Sequence, residues 1–149
     1  MDCLVCKRIE MIRNKANPYF VKELETGYVV IGDYQHFKGY TLFLCKRHTT
    51  ELHFLERDFR QRFLEEMSIV GEAVFKTFNP AKLNYELLGN NDTHLHWHIF
   101  PRIVGDTPIK GPVWWLPKEE MCNDNKRPTT TELDSMVARL RIELEKLIG

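Results

Sequence analysis

The sequence lacks three features that would each name a class of protein: an excess of charge, a long apolar run and a cysteine-rich pattern. Basic and acidic residues number 21 each, so no overall field draws the chain to nucleic acid or to an anionic membrane. No segment approaches the length of a membrane span, and the charged first ten residues lack the apolar stretch of a signal peptide. We therefore expect a cytoplasmic protein whose partners are neither nucleic acids nor membranes.

The chain has enough apolar residues for a core that needs no disulfides. Its 149 residues are 43% hydrophobic and show no internal repeat, low-complexity segment or linker, which predicts a single domain over residues 1–149. In a reducing compartment the four cysteines favour metal ligation or simple burial over disulfide bonds.

Three histidines at alternate positions form the most informative stretch, HLHWHIFPR at residues 94–102. Side chains of an extended segment alternate between two faces, so His94, His96 and His98 are predicted to share one face. The opposite face is apolar and carries Leu95, Trp97 and Ile99. Three neighbouring imidazoles suit a metal site, a phosphate site or a nucleophile with supporting groups, and the sequence pattern alone leaves these open.

The remaining patterns predict an α+β protein. Short extended segments rich in β-branched or aromatic residues lie at residues 19–24, 28–31, 40–45 and 83–88. Apolar residues recur every three or four positions over residues 55–78, which predicts a long amphipathic helix lying on the sheet and ending before Pro80. A capping box, Thr129-x-x-Glu132, opens a C-terminal amphipathic helix. A short helix is predicted at residues 7–13, and residues 105–128 are predicted to be irregular.

The H-x-H-x-H run, followed by Pro-Arg and preceded by a strand and a Gly-Asn turn, resembles the histidine triad (HIT) family of nucleotide hydrolases and transferases. The resemblance extends from the N-terminal C-x-x-C to about Arg102. It implies a five-stranded antiparallel sheet carrying the long helix, commonly paired in a homodimer. The predicted parts are an N-terminal knuckle at 1–13, a core at 19–102 and a C-terminal loop and helix at 103–149.

The resemblance also assigns catalytic roles by position. It implies that His96 attacks the α-phosphorus of a nucleotide and forms a nucleotidyl-imidazole intermediate, which water then cleaves. His98 would bind the phosphate oxygens or donate to the leaving group, assisted by Asn84, Asn90 and Asn91. An imidazole near its own pKa is partly unprotonated at neutral pH, which suits such a transfer.

Two further sites follow from the resemblance. Asp33, with Tyr34 beside it, falls near the ribose-binding acid of the family, although a turn-forming aspartate is an equal interpretation from the residues alone. Cys3 and Cys6 by themselves fit a zinc pair, a redox pair or two incidental apolar residues. In metal-binding relatives this pair is completed by a histidine after the third strand and by the first of the triad. That implies a closed structural zinc site in this chain, formed by Cys3, Cys6, His48 and His94.

The chain departs from the family pattern at two places. Many relatives carry a supporting histidine where this chain has Tyr40, whose hydroxyl could hydrogen-bond His96 and is therefore predicted to belong to the site. Relatives often have Gly-Gln-Ser before the triad, whereas this chain has Gly89-Asn90-Asn91-Asp92-Thr93. Both changes bear on substrate preference.

These observations predict an enzyme that releases a nucleoside 5′-phosphate from a dinucleoside polyphosphate such as diadenosine tetraphosphate. The tail GPVWWLP looks like that of bacterial diadenosine polyphosphate hydrolases. An adenosine 5′-monophosphoramidase is the alternative within the same chemistry. Two other classes remain: a hydrolase in which all three histidines bind a catalytic metal ion, and a nucleotide-binding interaction protein with little catalysis.

Overall fold

The computed structural model describes residues 2–148, so Met1 and Gly149, the two ends of the predicted domain, lie outside the described residues. The strands are β1 (Phe20–Glu23), β2 (Gly27–Ile31), β3 (Thr41–Cys45), β4 (Lys82–Glu86) and β5 (His96–Arg102). The helices are α1 (Leu4–Arg13), α2 (Arg57–Phe78), α3 (Lys118–Met121) and α4 (Thr130–Ile148). Short 3-10 turns lie at Leu52–Phe54, Val113–Trp115 and Asp124–Lys126.

All five strands pair antiparallel in one sheet with the order β1-β2-β3-β5-β4. This architecture confirms the predicted α+β fold, including the long helix and the C-terminal helix. The capping box is formed as predicted, because Thr129 N donates to the Glu132 carboxylate and Glu132 N donates to the Thr129 hydroxyl. Among the described residues, no helix has the length and apolar character needed to cross a bilayer.

The two faces of the sheet have different covers. On one face, α2 and α4 pack over the main core, where residues such as Phe43, Phe63, Val74 and Ile99 are fully buried. Helix α1 covers part of the other face, where its Val5 and Ile9 pack in a cluster with Tyr28, Val30 and Leu44. Residues of the 113–121 segment cover a second part of that face, in a cluster of Phe37, Tyr40, Phe100, Val113, Leu116 and Met121. We call this side of the sheet, which carries His96 and His98 on β5, the triad face.

The structure differs from the prediction at two segment boundaries. Helix α1 begins at Leu4 rather than at residue 7, because the Cys3 side chain accepts a hydrogen bond from the backbone N–H of Cys6 and caps the first turn. Residues 105–128 contain α3 and two 3-10 turns, where the sequence predicted only irregular structure.

Candidate active site

The second and third histidines of the triad lie side by side on β5. Strand β5 begins at His96, and antiparallel pairing with β3 places His96 opposite Leu44 and His98 opposite Leu42. The two rings lie 4.7 Å apart between centroids. His94 precedes the strand, so the prediction that the strand starts there is wrong by two residues.

A backbone carbonyl fixes the His96 ring. Its Nδ1 lies 2.7 Å from the carbonyl oxygen of His94. A carbonyl oxygen can only accept a hydrogen bond, so Nδ1 carries the ring proton and Nε2 keeps its lone pair. His96 is buried and borders a cavity on the triad face. The Nε2 atom is therefore the nitrogen of His96 that can react with an electrophile.

Tyr40 forms a hydrogen bond with His98, the third histidine of the triad. The Tyr40 hydroxyl lies 2.6 Å from Nδ1 of His98, whereas the sequence suggested a bond from this hydroxyl to His96. Burial raises the pKa of Tyr40 far above its ordinary value, so the hydroxyl keeps its proton. Among the hydrogen bonds of the described residues, His98 Nδ1 is the one partner of this hydroxyl, so we assign the hydroxyl as the donor and the Nε2–H tautomer to His98. Burial, and then the neighbouring His96, lower the pKa of His98 to about 4. His98 is therefore a neutral ring whose Nε2–H is a hydrogen-bond donor.

The lowered pKa of His98 predicts a loss of stability in acid. The unfolded imidazole titrates near pH 6.5, so below that pH the unfolded chain binds a proton that folded His98 takes up only near pH 4. The contribution of His98 to the free energy of unfolding is complete above about pH 6.5, and it falls by on the order of 2 kcal/mol by pH 5. Urea unfolding of the wild type and His98→Gln at about pH 7.5 and about pH 5 measures the difference.

The exposed His53 provides the matched control for this measurement. The His53→Gln variant should keep the full acid-dependent loss, and His98→Gln should lack the part that belongs to His98. The groups that face His98 are His96 on its own strand, Tyr40 before β3 and Glu86 opposite it on β4. An acid loss in His98→Gln equal to that of the wild type would contradict the prediction.

A cavity of about 200 Å³ lies beside His96. Its walls come from α1, from the end of β2 and from the C-terminal segment, and its lining includes Asp33, Tyr34, Tyr40, Met121 and Cys122. The structure thus brings three predicted substrate-binding residues, Asp33, Tyr34 and Tyr40, to one cavity with His96. A second cavity, of about 180 Å³, borders His96 and includes Gly89 and Thr93.

The three predicted asparagines are not among the residues that line the cavity beside His96. Asn84 is on β4 opposite Phe100, and its side-chain oxygen accepts a hydrogen bond of 2.8 Å from Arg102. Asn90 and Asn91 are exposed in the turn between β4 and β5. Their contact with a phosphate stays a prediction.

Two residues at the site escaped the sequence analysis. The first is Arg8 of α1, which donates two hydrogen bonds to the Asp33 carboxylate, from Nη1 at 3.1 Å and from Nη2 at 2.9 Å. The second is Glu86, which lies opposite His98 and accepts a hydrogen bond of 2.7 Å from the Trp114 indole. Alternation along β4 from Asn84 could have placed Glu86 on the triad face. No local pattern pairs Arg8 with Asp33.

Four potential metal ligands converge at the N-terminus of α1. The ligand atoms of Cys3, Cys6, His48 and His94 all lie within 4.8 Å of one another. The His48 and His94 Nδ1 atoms are 3.1 Å apart, and the Cys6 sulfur lies 3.3 Å and 3.5 Å from them. A tetrahedral zinc ion, with bonds of about 2.0 Å to nitrogen and about 2.3 Å to sulfur, places its ligand atoms roughly 3.3–3.8 Å apart. The cluster therefore fits a zinc ion.

The orientation of His94 also fits metal binding. Its Nε2 donates a hydrogen bond of 2.7 Å to the carbonyl oxygen of Cys45, so the lone pair is on Nδ1, which faces the two cysteines. This ring belongs to the Cys/His cluster, whereas His96 and His98 border the sheet face. The three histidines are thus divided between two sites.

Comparisons with known proteins agree with this geometry. The model of the HIT domain family matches residues 19–104. A histidine triad protein from Marinobacter aquaeolei VT8 is 26% identical, with 86% of this chain and 89% of that chain covered and a TM-score of 0.70. One from Bradyrhizobium japonicum is 24% identical, with 84% and 89% covered and a TM-score of 0.73.

A third similar structure is that of a Zn-bound histidine triad family protein from Mycobacterium smegmatis. It is 18% identical, with 99% of this chain and 96% of that chain covered and a TM-score of 0.69. No curated protein sequence matches the chain.

Proposed function

The chain belongs to the HIT domain family, and on that premise we propose that it is a nucleotide hydrolase whose nucleophile is Nε2 of His96. The hydrogen bond from His96 Nδ1 to the His94 carbonyl carries this proposal, because it leaves Nε2 unprotonated beside a cavity of about 200 Å³. The neutral His98 next to it supplies a donor instead of a second nucleophile.

The proposed reaction has two steps. In the first, Nε2 attacks the α-phosphorus, the new N–P bond forms, and the P–O bond to the leaving group breaks with its electron pair on the departing oxygen. The imidazolium that results is stabilised by the His94 carbonyl, and the His98 N–H donates to a phosphate or departing oxygen. In the second step, water attacks phosphorus and gives up a proton to solvent, and the N–P bond breaks with its electron pair on Nε2. The nucleoside 5′-phosphate then leaves with His96 restored.

The proposed substrate contacts follow the lining of the cavity. Asp33 would accept hydrogen bonds from the ribose hydroxyls, with Tyr34 beside it. Tyr40 acts through His98, and Asn84, Asn90 and Asn91 would complete the phosphate site. The proposed substrate is a dinucleoside polyphosphate with an adenine nucleoside, as the GPVWWLP tail suggests. An adenosine 5′-monophosphoramidate, with a P–N bond, is the alternative.

A trapping experiment tests the mechanism. Protein mixed with diadenosine tetraphosphate and quenched in base within one turnover should carry an AMP group on His96, found by peptide mass spectrometry and lost on mild acid treatment. Steady-state rates with diadenosine tetraphosphate and with adenosine 5′-phosphoramidate decide between the two substrates. Turnover without any adduct would contradict the covalent mechanism, and AMP binding without turnover would support an interaction protein instead.

We also propose that the Cys3, Cys6, His48 and His94 cluster holds a structural zinc ion. A closed set of two thiolates and two imidazoles is typical of structural sites, and the Zn-bound relative from Mycobacterium smegmatis supports the same metal. When bound, the ion would join the start of α1 to the entry of β5. A hydrolase using all three histidines as ligands is disfavoured, because only the His94 ring faces this cluster.

The proposed assembly is a cytoplasmic homodimer formed through the edge of the sheet. Strand β4 lies at that edge, and a cavity of about 890 Å³ runs along it with exposed Tyr85, Ile103 and Val104 in its lining. Apolar side chains clustered at a sheet edge are typical of a protein interface. Size-exclusion chromatography with light scattering tests the dimer.

A further inference from the structure

Asp33 is held by a guanidinium that reaches it from a different element of the fold. Both oxygens of its carboxylate accept from Arg8, one from each terminal nitrogen, in a fork-to-fork ion pair. The Asp33 side chain is 25% exposed and the Arg8 side chain is 32% exposed, so the pair is more shielded than most surface ion pairs. Both residues line the cavity beside His96.

We propose that Arg8 is a positioning residue that makes the site selective for ribose over deoxyribose, by holding Asp33 in one orientation. This inference rests on the proposed function in taking a nucleotide as the ligand and Asp33 as the acceptor for its ribose hydroxyls. It assigns to α1, an element before the matched family region of residues 19–104, a part in substrate selection.

The lone pairs of the Asp33 carboxylate determine which hydrogen bonds it can accept from a ribose. Each carboxylate oxygen can accept two hydrogen bonds, and the guanidinium fork uses one on each oxygen. One acceptor position remains on each oxygen, and the fork fixes its direction in the carboxylate plane. These two positions point away from each other, so each is matched to one ribose hydroxyl and not to the adjacent pair. A free aspartate would rotate and be hydrated, so the match would be lost much of the time.

Arg8 cannot move easily. Helix α1 is capped by Cys3 and is buried on the sheet through Val5 and Ile9. The carbonyl of Arg8 itself accepts a hydrogen bond of 3.2 Å from the Asn17 side chain, which ties the helix to the following loop. The guanidinium thus extends from a fixed backbone.

The positive charge of Arg8 also affects the binding of an anionic substrate. A lone carboxylate beside the reacting phosphate would repel the substrate, and Arg8 offsets that charge. A second guanidinium, that of Arg127, lies 4.5 Å above the Tyr34 ring and donates a hydrogen bond of 2.9 Å to its hydroxyl. Arg127 is paired with Asp124 at 3.1 Å and Arg8 with Asp33 at 2.9 Å, so each of these guanidiniums offsets one carboxylate.

The test compares ligands that differ only in the ribose. Calorimetric titration with AMP, 2′-deoxy-AMP and 3′-deoxy-AMP is carried out on the wild type, Arg8→Gln and Arg8→Lys. We expect the wild type to bind AMP about ten-fold more tightly than a deoxynucleotide that lacks the hydroxyl bound by Asp33. Arg8→Gln should weaken AMP binding about ten-fold and deoxynucleotide binding by about two-fold or less, so that the preference falls below about three-fold. Arg8→Lys keeps the charge without the fork and should also lose the preference.

Arg13→Gln is the matched control, because Arg13 is an exposed residue of the same helix and the charge change is the same. Its affinities should stay within about two-fold of the wild type. A ten-fold preference that survives in Arg8→Gln and Arg8→Lys would overturn the inference, as would a wild type that does not distinguish the three ligands. Hydrolysis assayed on the same preparations separates the two proposals. A ribose preference without turnover would contradict the proposed hydrolase and would still support the role of Arg8.

Discussion

Replacing His96 by alanine is expected to lower hydrolysis of the preferred nucleotide by about 10⁴-fold or more, because the variant has no atom to form the N–P bond. Adduct formation should vanish with it. AMP affinity should change by less than about ten-fold, since the Asp33 and Tyr34 side of the cavity remains. Single-turnover rates and calorimetric AMP titration on one preparation measure both quantities.

His98→Ala provides the comparison that separates the two roles. This variant keeps the nucleophile and loses the N–H donor, so we expect a smaller fall, about 10²- to 10³-fold, with the adduct still formed. If His96→Ala retained activity within about ten-fold of the wild type, or if His98 instead carried the adduct, the assignment of the nucleophile would be wrong.

Removing a cysteine from the Cys/His cluster is expected to have the largest effect on stability. Cys3→Ser should reduce the zinc content from about one ion per chain to a trace, because a thiolate ligand is lost while the serine hydroxyl can still cap α1. We expect a decrease in Tm of about 10 °C or more, the effect of losing several kcal/mol in a chain of this length. Elemental analysis and thermal unfolding of the purified protein measure the two changes.

Cys122→Ser is the matched control, since Cys122 is an exposed thiol outside the cluster. It should keep its zinc and its Tm. Treatment of the wild type with a chelator should reproduce the stability loss of Cys3→Ser, and the folded fraction should still turn over substrate. Full zinc content in Cys3→Ser would contradict the proposed ligand set, and loss of turnover in chelator-treated protein that remains folded would favour a catalytic metal.

Alternation along β5 predicted the sheet face of His96 and His98 correctly, because a strand with one apolar side can be placed in only one way. The extended strand that the alternation predicted from His94 begins two residues later, at His96. The His94 ring hydrogen-bonds the Cys45 carbonyl and faces the cysteines, both of which are distant in sequence. A local pattern cannot include such contacts.

Long-range pairs account for the other differences. Tyr40 was predicted to reach His96 and instead contacts His98, a choice that depends on the register between β3 and β5. Arg8 and Asp33 are separated by 25 residues, and nothing near either residue indicates the other. Glu86 and Trp114 meet because the C-terminal segment returns to the edge of β4, a path that the composition of residues 105–128 does not specify.

The carbonyl oxygen of His94 has a consequence for how this active site tolerates evolutionary change. Every amino acid supplies that oxygen, so no point substitution at position 94 deletes the acceptor that holds the His96 proton on Nδ1. The side chain of the same residue belongs to the Cys/His cluster, which single substitutions can destroy. Descendants of this chain could therefore lose the Cys/His cluster, provided that other packing compensates, and keep the Nδ1–H tautomer of His96.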